Sequence, residues 1–190
     1  MPMKNTTTQG YGVIGTGRID IPIEMLAGGG TPPAPVTRAP YTGYGYTIDD
    51  DSYFQFPLPI DYEFGTERGE RPMQVVIRWA VNEAFAVGSA QVRWRIHAYL
   101  AGQNRESIPD CRQVVDGTRD INIPTLALQV QETIIGEISA DYIESGDEIG
   151  MLIERVAIES GTDPVQEPEI IECWVTYPRI FNWGVVSASA

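Results

Sequence analysis

The stretch AQVRWRIHAYL, residues Ala90–Leu100, decides the fold. Every second residue in it is apolar, and Arg93, Arg95 and His97 lie between the apolar positions. Successive side chains of a β-strand point to opposite faces, whereas a helix would scatter the same residues around its circumference. The stretch therefore predicts a strand with one buried apolar face and one polar, arginine-bearing outer face.

Residues 53–180 continue this pattern as short apolar stretches separated by turn signals. Four of these stretches predict strands: Tyr53–Phe56, Met73–Val81, Ile149–Ile158 and Ile170–Tyr177. Pro57 ends the first abruptly, which is typical of a sheet-edge strand. Asp116–Gly117 predicts a turn, and Asn82–Val87 is the one place where we expect a short helix. The pattern predicts an all-β fold, a jelly-roll-like antiparallel β-sandwich.

Residues 1–52 differ from the sandwich in composition. Glycine and proline are so frequent there that we expect neither a helix nor a ladder. The segment nevertheless carries many apolar and aromatic side chains, which are unusual in a flexible linker. We predict a long irregular N-terminal arm over residues 1–52, which either becomes ordered on a partner surface or lies on its own sandwich. Residues 181–190 predict a short apolar C-terminal tail.

The charge of the chain excludes several partners. Its 26 acidic and 13 basic residues give a net charge of -13, and Lys4 is the only lysine. Nucleic-acid binding depends on clustered lysine and arginine, and Arg93 with Arg95 is the nearest approach to such a cluster. We therefore expect contact with neither nucleic acid nor an anionic membrane. With no apolar run of membrane-spanning length and no signal-peptide pattern, we expect synthesis in a cytoplasm.

One glycine-rich motif, VIGTGRI (Val13–Ile19), resembles a dinucleotide-binding fingerprint. That fingerprint requires a third glycine and a following helix that meets the pyrophosphate. Asp20 stands where the third glycine should be, and Pro22 lies where the helix should run. The motif therefore predicts no cofactor site, and we expect no cofactor elsewhere.

Side chains that could perform catalysis or bind metal are few or poorly spaced. His97 is the only histidine, and an outward strand position beside Arg95 explains it. Asp49–Asp51, and Glu144 with Asp147 and Glu148, could offer oxygen ligands to calcium, but neither set has EF-hand spacing, so solvated loops are favoured. Cys111 and Cys173 predict free thiols, with a single disulfide left open. We predict no catalytic residue and no metal site.

The tryptophans divide into two groups. Trp79 and Trp94 fall on the apolar faces of their strands, which predicts core positions. Trp174 falls opposite Cys173 and Val175, so it is the aromatic residue that we expect to face a partner.

Five segments follow one another in a characteristic order: YFQFPLPID at 53–61, the strand reaching Trp79, VRWRI at 92–96, IESGDEI at 143–149 leading to Arg155, and the strand ending at Tyr177. In this order they resemble the single jelly-roll virion proteins of tailed bacteriophages, in particular capsid decoration (cement) proteins. The likeness covers roughly residues 53–178, as a matter of order and general character without an invariant catalytic signature.

The resemblance implies a structural protein without enzymatic activity. Such proteins are homotrimers that bind the major capsid protein on the outer surface of the head and stabilise it by bridging neighbouring capsid subunits. The arm would then lie on the shell. The residues expected to contact a partner are Tyr11, Ile19, Ile21, Tyr41, Tyr44, Tyr46, Trp174, Phe181 and Trp183.

Other functions stay open, because the same sandwich serves many purposes. A phage neck, tail or fibre-base subunit would have the same fold. A carbohydrate-binding or receptor-binding module would need exposed aromatic side chains. A hydrolase would have only His97 and undirected acids to work with.

Overall fold

The computed structural model describes residues 13–38, 40–59, 72–101, 112–138 and 146–181. Within these ranges the chain forms ten β-strands and one short 3₁₀ helix, Ile23–Ala27. The strands are β1 Val13–Ile21, β2 Ala34–Arg38, β3 Tyr41–Gly45, β4 Asp51–Pro57, β5 Met73–Val81, β6 Gln91–Ala101, β7 Arg112–Asn122, β8 Gln131–Ile138, β9 Glu148–Val156 and β10 Pro168–Phe181.

The strands form two sheets in which every pairing is antiparallel. Sheet A has the order β2-β3-β10-β5-β8, and β1 also pairs with β10. Sheet B has the order β4-β9-β6-β7. Together they form a jelly-roll-like β-sandwich, which confirms the predicted fold class.

The core lies between the two sheets and follows the alternation read from the sequence. On β6, Val92, Trp94 and Ile96 are completely buried. Trp94 packs edge-on against Tyr46 and against Trp79, with ring centroids 5.3 and 6.3 Å apart. The predicted core positions of Trp79 and Trp94 are confirmed. Edge-to-face packing of this kind adds to the stabilisation that burial already provides.

The strands predicted over residues 53–180 are confirmed, and β4 lies at the edge of its sheet as Pro57 indicated. Two local predictions were wrong. Residues 82–87 form no helix; the Glu83 carboxylate instead accepts hydrogen bonds from the backbone N–H groups of Val165 and Gln166 in another loop. Asp116–Gly117 lies inside β7, because continuous pairing with β6 keeps this stretch extended despite its turn-forming residues.

The described part of the predicted arm also differs from expectation, because it contains three strands. β1 pairs with the C-terminal part of β10 over nine residues, and β2 and β3 form a hairpin that joins β10 at Glu169 and Ile170. Pro35 is tolerated because β2 is the outermost strand on its side of the sheet. The described residues of the arm thus lie on the chain's own sandwich, the second alternative above. No helix in the described ranges is long and apolar enough to cross a membrane.

Candidate interaction surface

The groups considered for catalysis or metal binding have structural partners. His97 lies on the outer face of sheet B, where its ring stacks on that of Tyr99 at a centroid distance of 6.5 Å. Asp50 accepts a hydrogen bond from the backbone N–H of Thr47 (2.6 Å), and Asp51 accepts one from that of Thr31 (2.5 Å). These carboxylates hold the turns around them.

Metal-ligating side chains do not gather elsewhere in the part of the chain that the structure describes. There, no group of three or more His, Cys, Asp or Glu residues has the arrangement of a metal site. Asp147 is buried and Glu148 is exposed, whereas Glu144 lies outside the described residues. Cys173 is a buried free thiol, and Cys111 is also outside the described ranges.

Most of the residues expected to contact a partner are engaged within the chain itself. Ile21 and Tyr46 belong to the core, and Ile19 and Tyr44 pack against it. Tyr41 donates a hydrogen bond to Glu169 (3.1 Å). These five side chains stabilise the sandwich and do not form an open surface.

Trp174, which is expected to face a partner, lies on the face of sheet A opposite the core but is covered within the chain itself. Its ring lies on the outer face of sheet A, where the Arg18 guanidinium of β1 lies 4.1 Å from the ring centroid. The side chain is only 4% exposed. The Trp174 ring is therefore engaged in a cation–π contact with the neighbouring strand β1. Tyr11, Trp183 and the side chain of Phe181 lie outside what the structure describes.

A different surface is open at one end of the sandwich, and the topology explains why. The connections β3–β4, β5–β6, β7–β8 and β9–β10 each pass from one sheet to the other. Because the paired strands are antiparallel, all four connections reach the same end. We call residues 46–50, 82–90, 123–130 and 157–167 the loop end.

Hydrogen bonds fix the four segments of the loop end to one another and to the sandwich. The Leu128 N–H donates to the carbonyl of Val81 (2.7 Å), and the Gln91 N–H to that of Thr162 (3.1 Å). The buried Arg155 guanidinium donates to the Tyr46 carbonyl (2.7 Å) and to Asp163 (2.9 Å), and so joins two of the segments. Hydrogen bonds of this kind hold the four segments in one arrangement, so the loop end is a preformed surface.

The exposed apolar side chains of the protein concentrate at this end. Eight large apolar residues in the described ranges are exposed, and six belong to the loop end: Ile48, Val87, Leu126, Leu128, Val130 and Val165. Val87 and Val165 are 88% and 86% exposed. Single exposed apolar residues are ordinary, but six at one end are typical of an interaction surface.

The charge at the loop end has one sign. The four segments contain no lysine or arginine, but six acidic residues: Asp49, Asp50, Glu83, Glu159, Asp163 and Glu167. Arg93 and Arg155, which extend from neighbouring strands, pair with Glu159 and Asp163. The remaining acidic residues surround the apolar side chains with negative charge.

Leu128 holds an unusual backbone conformation within this surface. Its φ is +58°, in the left-handed region that β-carbon-bearing residues rarely adopt. Strain of this kind persists only where the surrounding structure enforces it, and it is concentrated at functional sites. The hydrogen bond from Leu128 to Val81 enforces it here.

The loop end was not predicted from the sequence. One signal was available: Leu126, Leu128 and Val130 follow one another at alternate positions without any charge between them. That alternation is equally typical of a buried strand. Only the strand topology shows that these three residues lie in the connection before β8.

Comparison with known proteins gives a likeness of fold alone. No protein-family model matches the chain, and no curated protein is similar to it in sequence. One similar structure is the CBM36-1 domain of a multidomain xylanase from the hindgut metagenome of Trinervitermes trinervoides, at 12% identity and a TM-score of 0.43, covering 85% of this chain and 96% of that domain. Another is a chain of infectious bursal disease virus Gx strain, at 8% identity and a TM-score of 0.39, covering 96% of this chain and 37% of the viral chain. Likeness at this level supports no particular function.

Proposed function

We propose that this protein is a non-enzymatic structural component of a tailed-phage virion, an external decoration protein that binds the major capsid protein and bridges neighbouring subunits. The observation that supports the proposal is the loop end, a preformed apolar surface with a negative surround. A decoration protein needs such a surface because it must attach to a shell that is already folded.

The chemistry of the loop end favours a protein partner. An anionic membrane or nucleic acid would meet acidic residues and no basic residue of the four segments. A second copy docking through the same end would bring like charges together. The partner that fits is a different protein surface with apolar depressions and a basic surround, which we assign to the capsid shell.

The energetics of the loop end favour attachment as a multimer. Fully burying one valine, leucine or isoleucine side chain contributes about 1.5–3 kcal/mol, so six contribute at most roughly 9–18 kcal/mol. Association costs on the order of 4–15 kcal/mol. Ile48, Leu128 and Val130 are already more than half buried in the free chain, so the gain lies below this maximum and the surplus from one loop end is small. A homotrimer with three loop ends would bind far more tightly through avidity.

The predicted role of the arm changes in this proposal. Deleting residues 1–48 would remove β1, β2 and β3 together with the buried Tyr46, so we expect that truncation to unfold the sandwich. Attachment is better tested at the loop end, where exposed side chains can be changed without disturbing the core.

The test measures attachment of variants to purified shells that lack this protein. Val87→Glu and Val165→Glu should fold as the natural chain does but lose most attachment, because each places a charge in an apolar contact. Met25→Glu is the matched control, since Met25 is exposed to 44% but lies outside the loop end. Full attachment of both loop-end variants would overturn the proposal.

Leu128→Gly separates attachment from stability. Glycine adopts a positive φ without the penalty of a β-carbon, which for other residues is about 1–2 kcal/mol. We expect the variant to keep its stability in denaturant titration, because the relieved strain offsets the packing lost with this half-buried side chain, and to attach to shells more weakly. A variant that is less stable and attaches fully would contradict both the backbone strain at Leu128 and the contact of its side chain with the shell.

Copy number distinguishes the head from other positions in a virion. Quantitative mass spectrometry of purified particles should give close to one copy of this chain per shell subunit. A few copies per particle would instead favour a neck, tail or fibre-base subunit.

A further inference from the structure

The outer face of sheet B carries a second surface that the attachment of a decoration protein does not require. Three neighbouring strands, β4, β9 and β6, place three residues each on this face in register. The rows across the strands are Asp51–Glu154–Arg95, Tyr53–Leu152–His97 and Gln55–Gly150–Tyr99. We propose that this face binds a neutral carbohydrate chain.

Aromatic side chains lie on both sides of Gly150 on this face. The Tyr53 hydroxyl lies over this glycine, only 2.7 Å from the position that a β-carbon there would take. Tyr99 pairs with Gly150 from the other side, and its ring is within 19° of parallel to that of His97. Tyr53 is 49% exposed, which makes it the most accessible ring of the three. Flat, exposed rings of this kind can pack against the C–H face of a pyranose.

Polar groups that could meet sugar hydroxyls border these rings. Arg95 donates three hydrogen bonds to the Glu154 carboxylate, at 2.6 to 2.8 Å, and this pair lies in the row next to Tyr53. The exposed Gln55 lies on the other side of Tyr53, where its amide offers both a donor and an acceptor. A few placed polar groups beside an apolar floor, here Leu152 and Gly150, are characteristic of a ligand site.

The charges of this face select a neutral ligand. Arg95 and Glu154 compensate each other, so the face presents no excess positive charge to attract an acidic polysaccharide. The net charge of -13 on the whole chain repels polyanions further. Because the rows of side chains run across an open sheet, the face suits an extended carbohydrate chain better than a single enclosed sugar.

The test is affinity electrophoresis of the full chain in native gels that contain soluble neutral polysaccharides: dextran, mannan, mixed-linkage β-glucan and arabinoxylan. Heparin serves as the acidic comparison. We expect retardation in at least one neutral gel and none in heparin. Retardation only in heparin, or in none of the gels, would overturn the proposal.

Three variants test the position of the site. Tyr53→Ala should lower the affinity about tenfold, the effect of losing one stacking ring, whereas Tyr53→Phe should retain it within about threefold. Gly150→Ala should also weaken binding, because its methyl group displaces the Tyr53 ring. Val165→Glu, at the loop end, should bind the polysaccharide as the natural chain does. Unchanged binding by Tyr53→Ala would show that the ligand lies elsewhere and refute the proposal, whatever the result of the shell-attachment experiments.

Discussion

At the scale of single residues, the clearest sequence-to-structure relation is at Gly17. The glycine lies in β1 directly opposite Tyr177 of β10, on the inner side of sheet A. Any β-carbon at position 17 would overlap the Tyr177 ring. The glycine that resembles part of a cofactor motif therefore makes room for an aromatic side chain from the neighbouring strand.

Replacing Gly17 by alanine tests this relation. We expect the free energy of unfolding to fall by about 1–3 kcal/mol, as is usual when a packed site is overfilled. Denaturant titration measures the change. Gly30→Ala is the control, because a β-carbon there would be no closer than 3.6 Å to any atom, and we expect less than about 0.5 kcal/mol. Equal effects of the two substitutions would contradict the packing role of Gly17.

At the scale of elements, the β2–β3 hairpin is held to β10 through one buried carboxylate. Glu169 accepts hydrogen bonds from Arg38 (2.5 Å) and Tyr41 (3.1 Å). Burial, followed by the nearby negative charge of Glu169, raises the pKa of Tyr41 to about 12. The folded chain therefore keeps this proton at a pH where an unfolded tyrosine, with a pKa of about 10, has lost it.

This difference predicts how stability depends on alkaline pH. Between pH 10 and 12 the folded state binds the Tyr41 proton and the unfolded state does not, so stability falls as the pH rises. Tyr41→Phe removes this contribution, and its free energy of unfolding should decline less steeply above pH 10. Denaturant titrations at pH 9, 10 and 11 measure both slopes. Identical slopes for the two chains would show that the Tyr41 proton is not linked to folding.

The sequence predicts β4, β5, β6, β9 and β10 because apolar residues recur along each of them, whereas β7 is missed because Asp116–Gly117 indicates a turn. It does not predict β1, β2 and β3, because their pairing depends on β10, which is far away in the chain. The glycine and proline residues of that segment indicate a weak local preference for strand, and tertiary pairing overrides this weak preference. The loop end is missed for a related reason, since apolar residues in a connection look like core until the topology places them.

At the scale of the whole molecule, Cys173 can report on the opening of the sandwich. It lies on β10, which has neighbours on both sides in sheet A, and burial raises the pKa of its thiol to about 12. The thiolate is the form that attacks disulfide reagents, so the folded chain should protect this residue.

A Cys111→Ser chain isolates the Cys173 thiol for this measurement. We expect it to react with Ellman's reagent at pH 8 only as the protein unfolds, with a denaturant midpoint that matches the loss of the folded state. Fast stoichiometric labelling without denaturant would contradict the buried position of the thiol.

The position of β10 also has a consequence for biosynthesis. This strand joins β5 to both β1 and β3, yet it follows all of them in the chain. While a ribosome is still making residues 168–181, sheet A lacks the strand that connects its two halves. The nascent chain must therefore wait with unpaired edges until residues 168–181 have left the ribosome, and their emergence, more than the speed of any local step, should set when the sandwich closes.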